Sequence, residues 1–69
     1  MITNETKFRI IGHEKVNDDT VRDINETKTL KELDLSYGER SILIKRITEG
    51  KNTIFRWERS TVSISLATT

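Results

Sequence analysis

The sequence predicts a small α+β domain in which one main amphipathic helix packs on an antiparallel sheet of two or three strands. Three observations predict it: a capped amphipathic segment in the middle of the chain, alternating apolar residues in its last third, and a short alternating run near its start. The predicted order is β-α-β-β, with a weak extra helical segment before the main helix. We expect one domain over residues 1–69, with a flexible N-terminus at 1–6.

The first predicted strand is KFRIIG, residues 7–12. Phe8 and Ile10 alternate with charged residues, which is typical of a strand with one buried face, and Gly12 ends the alternation. The next run, HEKVNDD (13–19), predicts a turn, because Asn and Asp favour turns and helix caps.

The weak helical segment is DTVRDINET, residues 19–27. Val21 and Ile24 lie three positions apart, as on one face of a helix, and acidic residues cluster where the helix dipole favours negative charge. Asn, Thr and Asp are indifferent helix formers, so the segment gains little from intrinsic propensity.

The main helix is predicted at residues 36–49. Ser36 and Glu39 have the spacing of a capping box, and Thr29 and Glu32 repeat that spacing before a short LKEL turn. Gly50 stands where a helix end favours a residue that tolerates positive φ. Four side chains fall within an arc of about 120° and are expected to face the sheet: Tyr37, Leu43, Ile44 and Ile47.

The last third of the chain predicts a hairpin with strands at 53–57 and 61–67. The second strand alternates apolar residues with serines: Val62, Ile64 and Leu66 with Ser63 and Ser65. Phe55 and Trp57 are expected to share the apolar face of the hairpin. We expect Trp57 to be buried; if it is only partly buried, it becomes the leading candidate contact residue.

Residues 29–66 resemble the helix-turn-helix family, and a helix followed by a hairpin resembles its winged form. The matching positions are Leu33, Asp34, Leu35 and Leu43. Two positions depart from the pattern: Arg40 replaces a buried aliphatic residue, and Leu30 stands where a small residue is usual. The resemblance implies a DNA-binding transcriptional regulator with residues 36–49 in the major groove.

Composition narrows the classes of function. The net charge is +1, divided as −2 over residues 1–35 and +3 over residues 36–69, a smaller basic surplus than dedicated nucleic-acid binders have. With no Cys and one His, neither a disulfide nor a structural zinc site is expected. We see no signal peptide and no membrane-spanning stretch, and therefore expect a cytoplasmic protein.

Catalytic residues, metal ligands and cofactors are not expected. His13 is the only imidazole and lies in a polar stretch without a neighbouring nucleophile. Asp18, Asp19 and Asp23 lack the spacing of a calcium loop, and the glycines do not form a phosphate-binding loop. The sequence therefore predicts a non-enzyme.

Binding to another protein is the predicted function, as an inhibitor or adaptor in the style of phage or mobile-element accessory proteins. A winged-helix-like DNA regulator is the alternative. An aliphatic residue among basic residues is a common form of protein contact, and the predicted partner-binding residues are Ile42, Lys45, Arg46, Arg56 and Arg59. A sheet of two or three strands also has open edges, which suit a homodimer formed through an edge strand.

Overall fold

The computed structural model describes residues 1–67, which form four strands and one helix. The elements are β1 (Lys7–Asn17), β2 (Thr20–Thr29), α1 (Tyr37–Thr48), β3 (Thr53–Arg56) and β4 (Ser60–Leu66). All neighbouring strands are antiparallel, in the order β2-β1-β4-β3. One helix on an antiparallel sheet confirms the predicted class. The predicted strand number and order are wrong, because the sheet has four strands in a β-β-α-β-β chain.

The long hairpin β1–β2 replaces two predicted elements. Residues 13–17 continue β1 instead of turning, and residues 20–27 pair with β1 instead of forming a helix. The turn consists of Asp18 and Asp19 alone, and the side chain of Asn17 accepts a hydrogen bond from the backbone N–H of Asp19 at 3.0 Å. Ten paired positions join β2 to β1 through backbone hydrogen bonds, which outweigh the weak helical spacing of Val21 and Ile24.

The C-terminal hairpin is confirmed with small changes at its ends. β3 spans Thr53–Arg56 and β4 spans Ser60–Leu66. Phe55 pairs with Val62, and both side chains are buried on the face towards the helix, as the alternation predicts. β4 also pairs with β1, so the two hairpins join through the middle of the sheet.

Helix α1 is confirmed within one residue at each end. Ser36 caps it: its hydroxyl accepts from the N–H of Glu39 at 3.2 Å, and the Glu39 carboxylate accepts from the N–H of Ser36 at 3.1 Å. This reciprocal pair is the predicted capping box. Past the C-cap Glu49, Gly50 adopts a φ of +77°, the left-handed conformation that glycine takes without strain.

The core lies between α1 and the sheet. Its buried apolar residues are Phe8, Ile10, Leu30, Leu43, Phe55, Val62 and Ile64. Leu43 is fully buried, and Ile44 and Ile47 are partly buried against this core, as predicted. The inward orientation predicted for Tyr37 is wrong, because its side chain is 88% exposed. Tyr37 is the first residue of the helix, and helical spacing alone does not reveal where the sheet below it ends.

The helix-turn-helix arrangement is not formed in the part of the chain that the structure describes. Residues 20–29 are a strand, and the LKEL segment is one turn in which Glu32 donates its N–H to the Thr29 hydroxyl and accepts the Thr29 N–H. That region therefore lacks the first helix of the motif. Within residues 1–67, no helix has the length and apolar character needed to span a membrane.

The N-terminal residues contact the segment that follows β2. Backbone carbonyls of Asn4 and Thr6 accept hydrogen bonds from Lys31 and Leu30 at 3.1 and 3.0 Å. Ile2 is partly buried against the core. Flexibility of residues 1–6 stays a prediction.

Candidate functional site

A groove lies beside the helix, on the same face of the sheet. Helix α1 contacts β3 and β4, so it covers one half of this face and leaves the β2 half open. The groove has a volume of about 250 Å³. Its floor is formed by inward-facing residues of β1, β2 and β4, among them Ile24, and its apolar walls come from three side chains: Leu33, Leu35 and Trp57.

Trp57 stands at the rim of the groove, and the expectation that it would be buried is wrong: 42% of its surface is exposed. The indole ring stacks on Phe55, with ring centroids 5.5 Å apart and planes 3° from parallel. Its Nε1–H donates to Oε2 of Glu39 at 2.7 Å. The ring is therefore held on one face by the core and at its edge by the helix, while the rest meets solvent.

Glu39 joins the helix cap to the groove. One carboxylate oxygen accepts the Ser36 N–H of the capping box, and the other accepts the indole N–H of Trp57. These hydrogen bonds, the one from Trp57 first, lower the pKa of the Glu39 carboxyl below its usual value, because they favour the charged form. The hydrogen bond from Trp57 is therefore strongest while Glu39 is ionised.

The charged residues of the groove form two ion pairs. Across the hairpin, Arg22 donates to the Glu14 carboxylate at 2.7 and 3.1 Å, and this hydrogen bond raises the pKa of Arg22. Along β2, the ammonium of Lys28 lies 3.4 Å from the carboxylate of Glu26. Two cations are thus balanced by two carboxylates, which leaves the groove without net charge.

The five predicted contact residues do not form one surface. Ile42 and Lys45 lie one turn apart on the exposed side of α1. Arg46, near the helix end, donates to the backbone carbonyl of Asn52 at 3.0 and 3.3 Å. Arg56 lies on the opposite face of the sheet from the helix, and Arg59 lies in the turn between β3 and β4. Their role in binding stays a prediction.

The outer face of the sheet, which points away from the helix, is basic and open to solvent. Its basic strand residues are Lys7, Arg9, Lys15 and Arg56. Asp23 is the one carboxylate among the described strand residues of that face. Three apolar side chains, Ile11, Val21 and Ile54, also lie exposed there.

The sequence pattern did not reveal the groove. Read as a strand, β2 places Arg22, Ile24, Glu26 and Lys28 on one face, but three of these four residues are charged, so the alternation of a buried face is hidden. A usable signal existed in the opposite charges of Glu14 and Arg22, which pair directly across the hairpin. Glu14 lies one position further from the Asp18–Asp19 turn than Arg22 does, because the register shifts between Lys15 and Asn17.

The one histidine of the chain lies outside the groove. His13 and Asp23, 3.2 Å apart, are both exposed on the outer face and do not line the groove. Within residues 1–67, no three His, Asp or Glu side chains converge to hold a metal ion. Comparisons with protein-family models, curated proteins and solved structures found no match to this chain.

Proposed function

We propose that this chain is a small, non-enzymatic, cytoplasmic domain that acts as an inhibitor or adaptor by binding another protein at the groove. The observation that carries this proposal is the half-exposed Trp57, fixed by the Phe55 stack and the Glu39 hydrogen bond. A tryptophan held in one position loses little conformational freedom on binding, and residues of this type dominate the energy of many protein interfaces.

The size of the groove supports a partner side chain as its occupant. Pockets for drug-sized ligands usually measure about 300–1,000 Å³, and this groove holds about 250 Å³. That space suits one or two apolar side chains inserted between Trp57 and Leu33 or Leu35. The partner surface we propose therefore presents a bulky apolar residue to these walls.

Charge balance supports a protein partner over nucleic acid at this site. Phosphate backbones are bound by cations in excess, whereas Arg22 and Lys28 are each paired with a carboxylate. A protein surface can match paired charges of both signs around an apolar centre, which is the usual arrangement of an interface rim.

The test compares three immobilised baits: the unchanged chain, Trp57→Ala and Ile54→Ala. Ile54 is a matched control because it is a large exposed residue on the opposite face of the sheet. We expect a lysate protein to bind the unchanged chain and Ile54→Ala equally, and Trp57→Ala about 30-fold more weakly, as for a hot spot worth about 2 kcal/mol. Circular dichroism checks the fold of each bait.

A second groove variant tests the same site in case Trp57→Ala does not fold. Leu35→Ser removes an apolar wall without touching the stack on Phe55. Equal capture of one partner by all four baits would exclude the groove. Because Trp57 is the single tryptophan of the chain, a purified partner should also shift its emission towards shorter wavelength.

A second candidate function is nucleic-acid binding by the basic outer face of the sheet. The observation that favours it is the surplus of strand cations, with Asp23 as the one opposing carboxylate in the described strands. Titration of duplex DNA at low and moderate salt tests it: steeply salt-dependent binding that is lost in the double variant Arg9→Glu and Arg56→Glu would favour this function. Absence of binding at low salt would exclude it.

A further inference from the structure

Strand β2 forms one edge of the sheet and has a neighbour on one side only among the described residues. Leu30 donates its N–H to Thr6, across the β1–β2 pair. In an antiparallel pair, successive residues direct their backbone groups alternately to one side and the other. The even-numbered residues of β2 therefore bond to β1, and the odd-numbered residues turn their N–H and C=O groups to the open edge.

Local structure limits the length of this open edge at both ends. At one end, the N–H of Thr29 donates to the Glu32 carboxylate at 2.9 Å. At the other end, Asp18 and Asp19 form the turn into β1. The free stretch between them is residues 21–27, in which four residues have outward-facing backbone groups: Val21, Asp23, Asn25 and Thr27. Its midpoint is Ile24.

We infer that a second copy of this chain pairs antiparallel with this edge, with Ile24 opposite Ile24 of the second copy on a two-fold axis perpendicular to the sheet. Arg22 then faces Glu26 of the second copy, and Asp23 faces its Asn25. The two isoleucines form a non-hydrogen-bonded pair, the type in which side chains approach most closely. Each opposite-charge pair occurs twice because of the symmetry.

Neighbouring registers place like charges opposite each other. Moving the axis one residue towards the N-terminus sets Asp23 against Asp23 of the second copy. Moving it one residue the other way sets Arg22 against Lys28 of the second copy. Like charges directly opposite each other destabilise a strand pair. The register centred on Ile24 therefore combines attraction between charges with an apolar centre.

The resulting dimer has one continuous eight-stranded sheet with both helices on the same face. The two grooves then lie side by side, separated by the Ile24 pair, because Ile24 lines the groove of each copy. The pairing and the proposed binding of a partner are tested by different residues, because Trp57 follows β3 and does not lie on the β2 edge.

Sedimentation of the purified chain tests the pairing. We expect a mass twice the 8.0 kDa of one chain, with dissociation on dilution. Asn25→Pro should abolish the dimer, because it removes an outward-facing N–H without removing a bond to β1. Asn25→Ala keeps that N–H and is the matched control, expected to dimerise. A monomer at concentrations up to about 1 mM would overturn the inference.

Two charge variants test the register itself. Arg22→Glu leaves carboxylates at positions 22 and 26, and Glu26→Arg leaves cations at both, so each variant alone should associate about tenfold more weakly or worse. An equimolar mixture should recover a dimer of unlike chains, because every facing pair is again of opposite charge. A mixture that stays as weak as the separate variants, or an Asn25→Pro chain that still dimerises, would overturn the pairing.

Discussion

Gly12→Ala should be among the most destabilising single substitutions in the chain. Gly12 lies in β1 directly opposite Val62 of β4, at the join between the two hairpins. A methyl group built on Gly12 would overlap the backbone carbonyl oxygen of Thr61 and lie 2.7 Å from the Cα of Val62. These are backbone atoms, so no side-chain rotation relieves the clash and the central strand pair must separate.

The expected cost follows from that geometry. Overpacking in a core usually lowers the free energy of unfolding by about 1–3 kcal/mol. Because Gly12→Ala must also displace paired backbone, we expect it to lower the free energy of unfolding by about 3 kcal/mol or more. A domain of 69 residues is stable by roughly 3.5–10 kcal/mol. With a urea m-value of about 1 kcal/mol/M, the midpoint should fall by about 3 M.

The other two glycines provide controls in the same urea assay, followed by Trp57 emission at one protein concentration. Gly38 lies in α1 with nothing near an added methyl group, so Gly38→Ala should stabilise the fold by up to about 1 kcal/mol. Gly50 has positive φ, so Gly50→Ala should destabilise it by about 1 kcal/mol. A Gly12→Ala chain within 1 kcal/mol of the unchanged one would refute the packing described for β1 and β4.

Three further predictions concern the helix. Leu43→Ala should lower the free energy of unfolding in urea by about 2–5 kcal/mol, because Leu43 is fully buried. Tyr37→Ala should change it by less than about 0.5 kcal/mol, because Tyr37 is exposed. Comparable losses in the two variants would contradict the orientation of the helix. Ser36→Ala should cost about 1 kcal/mol through loss of the cap, and an unchanged urea midpoint would count against it. Because the pKa of Glu39 is lowered, its charge-assisted hydrogen bond to Trp57 is present at neutral pH and weakens as pH falls through that pKa, which lies below the ordinary value. Trp57 emission should therefore titrate below that value, and a Glu39→Gln chain that shows the same titration would assign it elsewhere.

The helix and the C-terminal hairpin could be predicted because their signals are local. Ser36 and Glu39 define a helix start within four residues, and the alternation of Val62 and Ile64 with serines marks a strand with one buried face. Both elements bury most of the face that their pattern marks; Tyr37 at the start of the helix and Leu66 at the end of β4 are the exposed exceptions.

Strand β2 could not be predicted from its own pattern. Its inward face carries one apolar residue, Ile24, because the helix does not cover that part of the sheet. Because the groove is open to solvent, the strand that lines it lacks the alternating apolar residues by which a strand is recognised in a sequence. The burial expected for Trp57 is wrong for a related reason: its parallel stack on Phe55 follows the predicted alternation, but part of the ring remains exposed to solvent.

The pairing of β1 with β4 has a consequence for how the chain acquires its structure. Phe8 pairs with Leu66, so the central contact of the sheet joins residues separated by almost the whole sequence. Contacts of such long sequence separation slow folding. During synthesis, the β1–β2 hairpin emerges from the ribosome before β4, and Phe8 and Ile10 lack their β4 partners until β4 has emerged. A nascent chain stalled before residue 60 should therefore be bound by chaperones that recognise exposed apolar strands.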